Sequence, residues 1–152
     1  MAEQQVQLTD LDPVQLQEVK KQLDQELEHL TSSYQQLKSA QAKFKACVND
    51  LQELKPGSKG KEVLVPLTSS LYVPGKLLDV ENVVVDVGTG YYVRKTKPEA
   101  ITHYTSKSTF VQTNLDTLQK TIERKQDNVQ SVVQVLQMKL QEGQGARPEG
   151  TA

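Results

Sequence analysis

The sequence predicts an α+β fold in which a long antiparallel coiled-coil hairpin carries two β-hairpins inserted at its base. Three observations predict it. Apolar residues recur at intervals of seven across residues 16–51 and again across 101–136, each row with a companion row on the same helical face. Between them, residues 62–95 switch to short β-branched and aromatic segments separated by glycine and serine turns. The apolar content of 36% and the absence of tryptophan are lean for a compact globule of 152 residues, whereas long helices with thin apolar seams need less.

Residues 1–12 are read as the N-terminal tip of the arm, closing on LDPVQ. Here Asp12 offers an N-cap oxygen, Pro13 takes the first helical position where its missing donor does no harm, and Gln15 reaches back as in a capping box. The first helix spans 13–55. Leu16, Leu23, Leu30, Leu37, Phe44 and Leu51 repeat along it, with Leu27, Tyr34, Gln41 and Val48 as companions. At 1.5 Å per residue it is roughly 60 Å long. Pro56, Gly57 and Gly60 in LKPGSKGK end it and supply a linker over 56–61.

The second helix, 96–141, opens on TKPEA, where Thr96 and Glu99 have capping-box spacing and Pro98 sits in the tolerant first turn. Ile101, Leu115, Ile122, Val129 and Leu136 share one row, interrupted by Ser108, and Tyr104, Val111, Leu118 and Val132 share the other. The pattern fades in QEGQGARPEGTA, so residues 142–152 are expected to form a disordered tail.

With Leu51 beside Ile101, antiparallel helices pair Leu37 with Leu115, Leu30 with Ile122, Leu23 with Val129 and Leu16 with Leu136. The companion row pairs Val48 with Tyr104, Gln41 with Val111 and Tyr34 with Leu118. The rows leave a slip of one heptad open. Lysines at 20, 125 and 139 enter the seam near the termini, which are therefore expected to be held less tightly than the end near the insert. That makes Leu8, Leu11, Val14, Leu136, Met138 and Leu140 the candidate surface for weak capture of another chain, with Met138 its most adaptable member.

The insert, 62–95, reads as two hairpins turning near Thr68–Ser70 and at Gly88–Gly90. The glycine pair in VVVDVGTGYYV invites comparison with a phosphate-binding loop. A strand-forming Tyr91-Tyr92-Val93 follows where a helix would have to open, and no Gly-Lys-Ser/Thr is present, so the glycines serve a tight turn. About 35 residues are too few to cover so apolar a surface or to close a barrel. Strands from other subunits must join them. The candidate assembly residues are Val63, Leu64, Val65, Leu67, Leu71, Tyr72 and Val73 in the first hairpin, and Val83, Val84, Val85, Val87, Gly88, Gly90, Tyr91, Tyr92 and Val93 in the second.

Composition narrows the function further. A net charge of −1 supplies no basic face for nucleic acid or an anionic membrane, and no run of apolar residues approaches spanning length. The lone Cys47 forms no internal disulfide and the opening MAEQQVQLTD lacks the apolar core of a signal peptide, so a cytoplasmic setting is expected, with a nuclear one left open. His29 and His103 lie on different helices and make no metal pair. Cys47 has no adjacent base, Glu26 and Glu28 do not share a helical face, and Tyr72, Tyr91 and Tyr92 lack the basic rim of a base-stacking platform. No catalytic residue, metal or cofactor is therefore expected.

The segments LDQELEHLTSSYQQLK, LVPLTSSLYVPGKL and VDVGTGYYVRKT, in this order between two capped coiled-coil arms, resemble the prefoldin family and specifically its alpha-type subunits, over about residues 9–140. Two hairpins, rather than the single one of beta-type subunits, favour that type. The resemblance implies a heterohexamer of two alpha-type and four beta-type subunits whose hairpins build a double β-barrel. It further implies capture of unfolded actin, tubulin and other chains at the arm tips and their delivery to the cytosolic group II chaperonin without ATP. The C-terminal GQGARPEGTA carries little of the family pattern. A structural adaptor role, as in a prefoldin-like assembly with nuclear duties, is the alternative that the same arms would serve.

Overall fold

A computed structural model describes residues 7–145; the outer parts of the expected tip and tail, residues 1–6 and 146–152, lie outside the described residues. Helix α1 (Pro13–Glu53) follows a short 3₁₀ turn at Leu8–Asp10, and helix α2 (Lys97–Gly145) closes the described chain. Between them lie β1 (Glu62–Pro66), β2 (Tyr72–Lys76), β3 (Asn82–Gly88) and β4 (Tyr91–Thr96). α2 continues to Gly145 where the sequence pattern stops at 141, because Gln141, Glu142 and Gln144 are adequate helix formers even without apolar spacing.

Both helix starts use side chains to satisfy free amides. Gln15 Oε1 accepts from the Asp12 amide at 3.1 Å. At α2 the box is reciprocal: the Thr96 amide donates to Glu99 Oε2 at 3.2 Å and the Glu99 amide donates to Thr96 Oγ1 at 3.4 Å. Lys97 Nζ donates to the carbonyl of Leu54, an unpaired acceptor just past the end of α1.

Two compact units divide the chain, residues 37–113 and residues 7–36 with 114–145. In the first, α1 and α2 pair antiparallel in the register expected from the heptad rows. Gln41, expected opposite Val111, is buried, and its Nε2 donates to Gln112 Oε1 at 2.6 Å and to the Ser108 carbonyl at 3.5 Å, one residue and one turn from that position. Phe44 packs on Tyr104 with ring centroids 6.2 Å apart. Leu51 joins Ala100 and Val85 in a buried cluster, with Ile101, Val83 and Tyr104 against its rim.

In the second unit the seam near the termini is buried at two of its positions. Leu16 is 0% exposed and Val132 1%, among the most deeply buried side chains described. The lysines find partners at the same end. Lys20 Nζ reaches Asp24 at 3.3 Å, Lys125 Nζ reaches Glu26 at 2.5 Å, and Lys139 Nζ donates to the carbonyl of Leu11. Each ammonium thus finds an oxygen partner, which a long side chain can reach while its charge stays solvated.

The strands form two separate antiparallel pairs, β1–β2 and β3–β4. In the first, Thr68 Oγ1 accepts from the Leu71 amide at 3.1 Å and organises the turn. In the second, Gly88 pairs with Tyr91 across a two-residue loop, Thr89-Gly90, whose φ values of 48° and 78° are both positive, as a hairpin turn matching strand twist requires. Thr89 is β-branched in a left-handed conformation, which is strained.

Two outcomes are expected. Thr89→Asn should raise stability by about 0.5–1 kcal/mol, since asparagine tolerates this region better, read as a higher urea midpoint. Val85→Asp, which places a carboxylate between Leu51 and Ala100, should destabilise the isolated chain by about 3 kcal/mol or more, read as loss of helical circular dichroism at a lower urea concentration.

Candidate functional site

The two hairpins present their apolar residues differently. In β1–β2, all of β1 and all of β2 except Gly75 are exposed. Val63, Val65 and Val73 lie on one face and Leu64 and Tyr72 on the other, as alternation along paired strands dictates. Leu67 and Leu71 flank the turn and are exposed as well. Leu64 is 69% exposed, high for a leucine in a strand. In β3–β4, one face is already occupied. Val85 is 1% exposed and Val83 half-buried, both against the α1–α2 cluster, while Val84 and Tyr92 point the opposite way into solvent. Val87, Tyr91 and Val93 are also exposed, and Gly88 and Gly90 hold the turn. Val85 and Val83, proposed from sequence as assembly residues, are thus packed within the chain, because the period-two alternation sends them inward.

Sequence reasoning missed Leu78, 79% exposed in the connection between the hairpins, and Phe110, 65% exposed on α2. Both carried a signal: Phe110 belongs to neither heptad row, and Leu77-Leu78 prolongs the apolar run past β2. Asp79 and Val80 were missed too. Val80 is buried, and Asp79 clamps the connection: its carboxylate accepts from the amides of Glu81 at 3.0 Å and Asn82 at 3.1 Å, from Asn82 Nδ2 at 3.1 Å and from Arg94 Nη2 at 3.0 Å. These donors, the Asn82 side chain first, hold the Asp79 carboxyl below the usual carboxylate range.

Close to β3 a shallow groove gathers Phe44, Cys47, Asp86, His103 and Tyr104. His103 stands edge-on to Tyr104 at 5.3 Å, and burial, followed by the ammoniums of Lys95 and Lys107, lowers its pKa from the ordinary histidine value. Among the described residues no cluster of three or more His, Cys, Asp and Glu side chains gathers to hold a metal, and no helix is long and apolar enough to cross a membrane.

Of the residues expected near the helix termini, Val14, Met138 and Leu140 are exposed, at 77%, 57% and 47%, whereas Leu8, Leu11 and Leu136 are half-buried. The exposed set is smaller than the sequence suggested, and it borders the tightly packed Leu16 and Val132 rather than a loosened seam.

A family model described as prefoldin subunit matches residues 23–142, which takes in most of both helices and all four strands. The chain belongs to the prefoldin family. Prefoldin subunit 5 of Homo sapiens is 43% identical over 91% of this chain and 90% of its own length. Probable prefoldin subunit 5 of Schizosaccharomyces pombe is 46% identical over 88% of both. A cryo-EM structure of filamentous PFD from Methanocaldococcus jannaschii superposes with a TM-score of 0.68 at 23% identity, covering 77% of this chain and 97% of that one, and shares the fold. In this prefoldin fold the second hairpin is seated on its own helices and the first is not.

Two measurements follow from the turn and the clamp. Gly88 has φ 122° and Gly90 φ 78°, so valine at either should cost about 1–3 kcal/mol through backbone strain, seen as a lowered unfolding midpoint with the helices otherwise unchanged. The Asp79 carboxyl should titrate by NMR below the ordinary aspartate range, and Asn82→Ala should move it back up. Because its folded pKa is depressed, the clamp's contribution is complete above the unfolded value and is lost as pH falls through the folded one.

Proposed function

We propose that this chain is an alpha-type subunit of the heterohexameric co-chaperone prefoldin, joined to other alpha- and beta-type subunits through its hairpins. The observation that carries the reading is the first hairpin, which exposes apolar side chains on both faces and finds no cover among the described residues. An isolated two-stranded ribbon of this kind is marginal in water and presents unpaired edges, a liability that strands from other subunits remove. The relatives named prefoldin subunit 5 support the same assignment.

The complex, on this proposal, captures unfolded actin, tubulin and other chains through the helix ends bearing the termini and passes them to the cytosolic group II chaperonin, working in the cytoplasm without ATP. Val14, Met138 and Leu140 supply the apolar contact. Each contact is weak, and several arms acting on one client give avidity while leaving it free to transfer.

Val84→Asp tests assembly apart from folding. Val84 is exposed, so the variant should keep the wild-type unfolding midpoint within about 0.5 kcal/mol, yet enter the complex at least about tenfold less well in co-purification with partner subunits. Stoichiometric co-purification would count against the hairpin as the assembly site. For capture, hexamers in which every subunit lacks its arm ends, residues 1–15 and 137–152 in this one, should assemble but suppress aggregation of denatured actin less than wild type. Undiminished suppression would refute the arm ends as the capture site.

A further inference from the structure

The backbone edges of the two hairpins are not equivalent. In an antiparallel pair, residues alternate between pairs whose N–H and C=O groups face the partner strand and pairs whose groups face outward. The Leu77 amide donates to the Lys61 carbonyl at 3.0 Å and the Leu67 amide to the Leu71 carbonyl at 2.9 Å, so these two pairs face inward. Counting in twos through the register, the pairs Glu62–Lys76, Leu64–Pro74 and Pro66–Tyr72 face outward. Both prolines therefore stand where no internal ladder bond is lost, and each deletes a donor from an outer edge. Pro66 does so at the last residue of β1, leaving the Glu62 and Leu64 amides as consecutive outward donors. Pro74 does so in the middle of β2, so Tyr72 and Lys76 donate on either side of a gap.

No proline interrupts the second hairpin, although β3 carries a bulge between Asp86 and Gly88. The Lys97 amide donates to the Glu81 carbonyl at 2.8 Å, which turns Val84, Asp86, Tyr92 and Arg94 outward. β4 thus keeps two consecutive outward amides, Tyr92 and Arg94, and β3 keeps that of Val84 ahead of the bulge that begins at Asp86, while the Asn82 amide is taken by Asp79 and the Thr96 amide by Glu99.

We infer that a strand of a partner prefoldin subunit adds to the first hairpin along β1, and that the outer edge of β2 carries no continuous ladder and meets its neighbour through side chains. The inference rests on the assembly proposed above and specifies its direction. A strand is the fitting occupant, because outward amides and carbonyls at two-residue spacing are matched by another strand's backbone, and the Leu64 side chain beside them favours an apolar one.

Amide hydrogen exchange on the isotope-labelled subunit inside the assembled complex reads this directly. Formation of the complex by the wild-type chain tests the assembly reading, and the exchange pattern within it tests the edge. The Glu62 and Leu64 amides should slow at least about tenfold relative to the free subunit, and those of Tyr72 and Lys76 by less than about twofold. Glu62 and Lys76 face each other in one outward pair, so proline at each gives a matched comparison, with Glu62→Gln and Lys76→Gln controlling for charge. Glu62→Pro should lower incorporation about tenfold and Lys76→Pro by less than about twofold, each with unchanged helical circular dichroism. Equal protection of the two edges, or greater loss from Lys76→Pro, would overturn the inference.

Discussion

The contact of Val85 with Leu51 and Ala100 is the constraint on which the base of this molecule depends. It fixes one face of β3–β4 to the helix pair and, through the alternation of strand residues, decides that Val84 and Tyr92 face outward. A slip of one residue in that strand would exchange the two sets and leave the helices without their cap. The Asp79 clamp works in the same direction. By binding Arg94 of β4 and the amides at the start of β3, it delivers the chain from the first hairpin into a defined register in the second.

Much of this was legible in residues with short-range chemistry. Pro13 and Gln15, Thr96 and Glu99 mark helix starts because caps are satisfied within a few residues, and Gly88 and Gly90 mark a turn because only a tight reversal needs positive φ there. The heptad rows gave the antiparallel register as well, since Gln41 lies between Ser108 and Gln112 as the rows require. What escaped was decided by geometry the pattern does not carry. Val83, Val84 and Val85 are the same residue in a row, and only the seating of the hairpin tells the inward ones from the outward one. Lysines 20, 125 and 139 read as interruptions of the seam, whereas their length lets each ammonium reach an oxygen partner. Of the candidate surfaces, most hairpin residues named from sequence are exposed, Val83 and Val85 excepted, while near the termini Leu8, Leu11 and Leu136 are half-buried beside a deeply buried Leu16.

Gln41 illustrates a different economy. An apolar residue there would bury more surface but would pack equally well one heptad away, whereas an amide needs the Gln112 oxygen and the Ser108 carbonyl at one particular height. A polar side chain at a seam position gives up some stability for a single alignment.

The unequal seating of the two hairpins also has a kinetic meaning. β3–β4 is held by its own chain before any encounter, whereas among the described residues β1–β2 has only its ladder and turn to order it, and on the proposed assembly another subunit would supply the rest. Ordering on contact consumes part of the interaction free energy, so such a joint closes more weakly than its apolar area suggests. On the assembly proposed above, a single insert would therefore offer its neighbours one preformed face and one adaptable face.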